Sequence, residues 1–402
     1  MSNTVDPSSR ILTRISDAEL ARRWAAIRQF MRDRDIDAIV MQNTNDWLGG
    51  YVKWFTDLPA NNGYPRTVVF HLDAPMSVVE MGQSNVRRNF SADETLHRGV
   101  DLMLHTPSFT SIGYTDRDDA NLAIEALRSH PHRSIGLVTP GVLPYAFVAA
   151  LKQQFATASF ADVTPDIDAI KAIKSPEEIE LIRRTARLQD DVFTEVLKEI
   201  RPGLRDIDVT SIAQRKGQML GSEQGIFLGG SSPLGIRSPF VPRYMQSRTL
   251  KTGDHLSLLI EINGPGGFYT EIARTVVLGK ASSELKDGFA AVKAAQEYSL
   301  SLMKPGTHVK EIFAKHNAYM TRNGMPAESR LYAHGQGYDM VERPLIRQDD
   351  DMTLQQGMCL AVHPGYETPS LFAVICDNYL IEAHGPGDCL HRTAKTLFEI
   401  DC

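Results

Sequence analysis

Two carboxylates and two imidazoles in this chain stand where they could meet. Glu261 ends an apolar run, 256–260, and Glu271 follows ten residues later across Asn-Gly-Pro-Gly-Gly (263–267), a turn sequence, so a β-hairpin brings the two carboxylates close together. Facing carboxylates inside a sheet are costly unless a cation lies between them, either a metal ion or an arginine such as Arg274. His334 sits in Tyr-Ala-His-Gly-Gln-Gly (332–337), where the glycines let a ligand approach the backbone closely. His363 stands in Ala-Val-His-Pro-Gly (361–365), and Asp377 closes Val-Ile-Cys-Asp (374–377). One such histidine alone reads as core. Glu, Glu, His, His and Asp together read as an acid/base or metal site.

The elements that must position these residues show in the sequence. A helix starts at Ser16, where Glu19 supplies the other half of a capping box and Leu20, Trp24, Ile27 and Met31 repeat at helical spacing, and it should end near Asp35. Strands over 38–41, 67–71, 76–81 and 134–138 alternate with helices over 118–128 and 142–154, so the first 165 residues read as an α/β domain. Ser175, Pro176, Glu177 and Glu178 then give a capping serine, a first-turn proline and two first-turn acids at one helix start. That helix stops at Pro202-Gly203 and a second begins at Asp206, running to about Leu220. The same grammar returns with a helix from about Ser283 that ends at Pro305-Gly306, and another from near Val309 to Arg322. Residues 166–402 therefore read as an internally duplicated α/β domain with its site between the halves.

Composition bounds the function classes. The 402 residues are 42% apolar and 23% charged, and 43 Lys plus Arg against 49 Asp plus Glu leave a net charge of −6. That balance speaks against nucleic acid or anionic membrane as partner and for a small-molecule substrate. No apolar stretch approaches the roughly 20 residues that span a bilayer. The start, 1–9, is polar and lacks signal-peptide order, and all four cysteines fall after residue 358 without C-x-x-C spacing. A cytoplasmic protein with free thiols is the expectation.

The motifs resemble the creatinase, prolidase, aminopeptidase P and methionine aminopeptidase group, the pita-bread fold. The resemblance rests on Ile-Lys-Ser-Pro-Glu-Glu-Ile (173–179), Glu-Ile-Ala-Arg-Thr (271–275), His-Gly-Gln-Gly (334–337), and Gly357-Met358 leading to His-Pro-Gly (363–365). It implies an N-terminal creatinase-like domain, 1–165, and a pita-bread catalytic domain, 166–402. In the family's peptidases two Asp, one His and two Glu bind two metal ions. Carried over by position, the ligands become Glu261, Glu271, His334, His363 and Asp377, so only His334 is unchanged, and the hairpin pair is one residue closer. A two-metal centre needs bridging carboxylates, so the replacements fit at most one divalent transition metal, with Zn, Fe and Mn all open.

Other departures shape the expected chemistry. Arg243 stands where the family carries a substrate-facing histidine, and Val341 replaces a second histidine after the His-Gly motif. Arginine cannot serve as a general base but can hold a carboxylate by two hydrogen bonds, which makes Arg243 and Arg343 carboxylate-binding candidates. The expectation is an atypical hydrolase that cleaves a C–N bond in a small carboxylate-bearing substrate, with His334 or His363 as acid/base. The hairpin spacing and the run Glu342-Arg343-Pro344-Leu345 also resemble a branch of metal-dependent dimethylsulfoniopropionate lyases, in which Glu342 or Asp339 would abstract a proton. A non-catalytic binding protein on the same fold is the third reading. Trp47, Trp54, Phe55, Tyr64 and Arg66 lie in a loop-rich stretch of the first domain, where aromatics could enclose a cationic group. If they cover a partner's site, as the creatinase resemblance implies, the protein is a homodimer.

Overall fold

The structure is a computed structural model that describes residues 6–46 and 48–402. Trp47 and residues 1–5 lie outside the described residues. The chain forms two compact units, Met1–Lys171 and Ala172–Cys402.

In the first unit seven strands form one sheet, in the spatial order Arg87–Asn89, Val100–Thr106, Met76–Met81, Arg66–His71, Ala38–Asn43, Ser134–Leu137 and Ser159–Asp162. Ser16 caps the helix Asp17–Asp33 by accepting from the Glu19 amide. The helix expected from residue 142 begins at Tyr145 instead, because Pro144 pulls its neighbours toward extended backbone and takes the cap position. A helix that the sequence did not announce, Tyr51–Thr56, occupies the aromatic stretch. It turns Trp54 inward: the indole is 2% exposed, lies edge-on to Phe55 and carries the Arg23 guanidinium over its ring. Arg66 pairs with Glu80 at 2.7 Å, and Tyr64 leans on Phe109. The expected aromatic enclosure of a ligand by Trp54, Tyr64 and Arg66 is therefore corrected: Trp54 is core, and Arg66 is held by a carboxylate of its own unit.

The second unit repeats one plan twice. Ser175 and Glu178 make the expected capping box for the helix Pro176–Glu199, which the helix Asp206–Met219 follows. Val192, Phe193 and Val196 of that first helix pack on Leu258, Ile260, Ile272 and Val276 of the hairpin sheet. Each such side chain contributes roughly 1.5–3 kcal/mol by leaving water. The hairpin strands Asp254–Asn263 and Tyr269–Leu278 are the centre of a four-stranded sheet flanked by Gly225–Pro233 and Phe398–Ile400. The second half sets the helices Ser283–Leu302 and Val309–Arg322 beside a five-stranded sheet, ordered Glu342–Leu345, Ala333–Gly335, Cys359–Val362, Asp377–Glu382 and Gly385–Pro386. Ile312 and Phe313 join Leu360, Val362 and Tyr379 in its core. The two sheets meet through a bridge between Ala273 and Cys376, next to Glu271.

Candidate metal centre

The hairpin register places Glu261 directly opposite Glu271 on antiparallel strands. Both are buried in a cavity of about 670 Å³, also lined by His334 and His363. Glu271 Oε2 lies 3.5 Å from His334 Nε2, and the rings of His334 and His363 are 5.1 Å apart between centroids. One donor atom from each of Glu271, His334 and His363 falls within 4.8 Å of the others.

Each donor is prepared by its surroundings. His334 Nδ1 is 2.9 Å from the Gly335 carbonyl, to which it donates, and this contact turns Nε2 toward Glu271. Burial pulls the pKa of His363 down to about 4, so its ring is neutral and its lone pair available at pH 7. Burial opposes ionisation of Glu271, but the imidazoles of His363 and His334 outweigh it and hold the carboxyl below its ordinary range. Glu261 goes the other way: burial, and then the charge of Glu271, push its pKa well up and keep a proton on it. Gln336 Nε2 donates to Glu261 Oε1 at 2.7 Å, and Asn378 ties that amide to the hairpin, donating to Gln336 Oε1 at 2.6 Å while accepting from the Glu271 amide at 2.7 Å.

Asp377 is not in this group. Its Oδ1 accepts from Arg274 Nη2 at 2.6 Å, both side chains being 0% exposed, and His391 lies 3.6 Å away. The preceding residue, Cys376, lies nearer the hairpin: its thiol is 3.6 Å from the Glu271 backbone carbonyl, and burial, then the Glu271 charge, keep it protonated. Consecutive side chains of an extended chain point to opposite faces, so a one-residue slip separates the expected ligand from the site. Arg274, the alternative cation for the hairpin, faces Asp377 rather than the gap between the glutamates.

The expected substrate residues also lie elsewhere. Glu342 is buried against Lys174 Nζ at 2.9 Å, Arg343 is bound by Asp350 at 2.6 Å, and Arg243 is exposed with its guanidinium on Gln214. None of the three is among the described residues that line the cavity. Sequence reasoning missed Gln336 and Cys376, both inside motifs it had marked, and also His316, on the expected helix Val309–Arg322, and Arg330, on a loop that carried no signal, both of which line the cavity.

The donor set fits one divalent ion. Two imidazoles and one carboxylate, with room beside them, are the ligands of single-ion sites that keep positions open. A two-ion centre finds no further free donors, since Glu261 is engaged by Gln336 and Asp377 by Arg274.

A duplicated α+β unit that follows an α/β unit in the chain, with a buried His-His-Glu cluster where its two sheets meet, describes a metallohydrolase of the pita-bread class. Residues 180–383 match metallopeptidase family M24, half of the chain, and the chain belongs to that family. It is a peptidase-like hydrolase acting on C–N bonds, of a family that works with divalent metals. A Xaa-Pro dipeptidase of Pyrococcus horikoshii is 25% identical over 295 residues, 71% of this chain and 82% of that protein. An uncharacterized hydrolase/peptidase of Sinorhizobium fredii, y4tM, is 26% identical over 390 residues, 92% of this chain and 95% of its own. The X-Pro aminopeptidase structure from Thermotoga maritima superposes with a TM-score of 0.76 at 15% identity, over 94% of this chain and 99% of that one. Dipeptidase PepE from Mycobacterium ulcerans gives 0.76 at 17% identity, over 97% and 100%. No helix among the described residues is long and apolar enough to cross a membrane.

Proposed function

We propose that the protein is a single-metal hydrolase that cleaves the C–N bond of a small amide or peptide carrying a carboxylate. The observation that carries this reading is the convergence of Glu271, His334 and His363 within 4.8 Å on the wall of a largely apolar cavity. Those three residues would hold the ion, which when bound supplies Lewis-acid polarisation of the scissile carbonyl. Glu261 holds a proton beside them and is placed to pass it to the departing nitrogen, general acid work that needs a carboxyl kept neutral at pH 7. Gln336 fixes the Glu261 carboxyl, and Ile226, Leu228, Phe240 and Phe372 give the cavity apolar walls that exclude bulk water. The lyase reading loses support, because Glu342 is held by Lys174 and neither Glu342 nor Asp339 is among the described residues that line the cavity. Cys359, Cys376, Cys389 and Cys402 are all free, which supports a reducing compartment, the cytoplasm. The proposal includes a homodimer, supported by exposed Tyr244 and Met245 side by side on one short turn; sedimentation checks it. The activity test is hydrolysis of a dipeptide panel, Xaa-Pro dipeptides included, by protein loaded with Mn, Zn or Fe. Release of free amino acid by wild type and its loss in Glu271→Gln are expected. No turnover with any metal and any dipeptide would count against the reading.

A further inference from the structure

The cavity has a second polar end. His316, on the helix Val309–Arg322, is 0% exposed and still lines the cavity. Its ring stacks on Tyr332 at 3.5 Å between centroids, and Nδ1 is 2.6 Å from Ser299 Oγ, yet Nε2 has no hydrogen-bond partner. Buried polar nitrogens are almost always paired, so an unpaired one in a cavity wall is a position for a ligand atom. Beside it in the lining runs the segment 326–331, shaped by the side chain of Asn317. Asn317 Oδ1 accepts from the Glu328 amide at 2.8 Å and Nδ2 donates to the Glu328 carbonyl at 3.1 Å, while the Arg330 amide donates to Glu328 Oε1 at 2.6 Å. One oxygen of the Glu328 carboxylate, which also lines the cavity, is thereby held by backbone.

The same segment presents Arg330, the one Lys or Arg among the described residues that line the cavity. Its guanidinium enters no ion pair among the described residues. Guanidinium groups bind carboxylates through paired, charge-assisted hydrogen bonds.

We propose that Arg330 and His316 form the subsite that takes the substrate's carboxylate, the role that Arg243 and Arg343 were expected to fill. This rests on the hydrolase reading above and deepens it. With Ser299 donating to Nδ1, His316 keeps its proton on Nε2 and offers it to one carboxylate oxygen, while Arg330 holds the acid from the exposed side. The substrate class is then a small amphipathic acid. Its apolar part lies on Leu228, Phe240 and Phe372, and its amide bond reaches Glu271, His334 and His363.

The test uses metal-free protein, so that no carboxylate can bind through a metal. Binding of 4-phenylbutyrate is compared with that of 4-phenylbutyramide, an uncharged probe of similar shape. Wild type is expected to prefer the acid by roughly tenfold or more, as a charge-assisted pair implies. Arg330→Gln, at an exposed position and checked for unchanged melting temperature, should bring the preference close to one, and Arg330→Lys should restore part of it. Equal binding of acid and amide by wild type, or a preference that survives in Arg330→Gln, would overturn the subsite. Dipeptide hydrolysis by metal-loaded protein is read separately. Its absence would count against the hydrolase reading and leave the binding preference to decide the subsite.

Discussion

Arg274 and Asp377 form an ion pair at 2.6 Å with neither side chain exposed to solvent, and that pair removes Asp377 from the metal cluster. Gln296, His391 and Lys395 also approach the carboxylate, at 3.4, 3.6 and 3.9 Å. Burial raises the Asp377 pKa, but Arg274 and His391 outweigh it and bring it down to about 2. The pair serves structure, since Arg274 also donates to the carbonyls of Ala273, Cys376, Thr393 and Ala394.

Breaking that pair should therefore cost stability without changing metal content. Asp377→Asn leaves a buried guanidinium without its counter-charge, a change worth about 3–5 kcal/mol. Urea unfolding is expected to show a large loss in the variant while the folded fraction keeps its metal. Wild-type stability with lost metal would place Asp377 among the ligands after all.

Glu261→Gln separates proton supply from metal binding. The amide keeps the shape of the protonated carboxyl and removes the acid, so kcat should fall about 100-fold or more, a general-acid contribution, with metal content and KM little changed. Metal analysis alongside steady-state kinetics on any turned-over dipeptide checks both. Loss of the metal would make Glu261 a ligand.

Two buried histidines away from the cluster set the acid limb of stability. Burial first, then the neighbouring His130 and His132, bring His71 down to about 3, and burial brings His316 down to about 4, against 6.5 in the unfolded chain. Between pH 6.5 and about 4 the unfolded chain thus binds more protons, so stability is full above pH 6.5 and falls as the pH drops. The loss is about 5 kcal/mol for His71 and about 3 kcal/mol for His316 once both states titrate. Asp119, raised to about 6 by burial, acts with the opposite sign and loses stability as pH rises through that value. A net fall in denaturation midpoint from pH 7 to pH 4.5 is expected, shallower in His71→Gln. A flat profile would show that the histidines titrate freely.

Much of this architecture was legible in the sequence, for identifiable reasons. The helix start at Ser175 and the hairpin around Gly264–Gly267 are local signals, set by capping and turn chemistry within a few residues, and the structure keeps both. His334 and His363 could be chosen because glycine and proline flank them. The face that each side chain takes was not legible. Cys376 and Asp377 are neighbours, and only the bridge between Ala273 and Cys376 decides which of them looks at Glu271. Trp54 looked exposed because its flanks are turn-rich, whereas one and a half turns of helix are enough to bury it. Arg243, Arg343 and Glu342 were chosen by chain position, and the partners that consume them, Gln214, Asp350 and Lys174, could be seen only in three dimensions. Arg330 and His316 carried no sequence signal at all, since neither belongs to a motif.

Metal stoichiometry of purified protein tests the central claim most directly. Elemental analysis of wild type, Glu271→Gln, His363→Ala and Cys376→Ala, each loaded with Mn, Zn or Fe and desalted, should give about one equivalent in wild type and Cys376→Ala, as a two-imidazole, one-carboxylate set implies, and close to none in the other two. Two equivalents in wild type, or a full equivalent kept by both Glu271→Gln and His363→Ala, would contradict it.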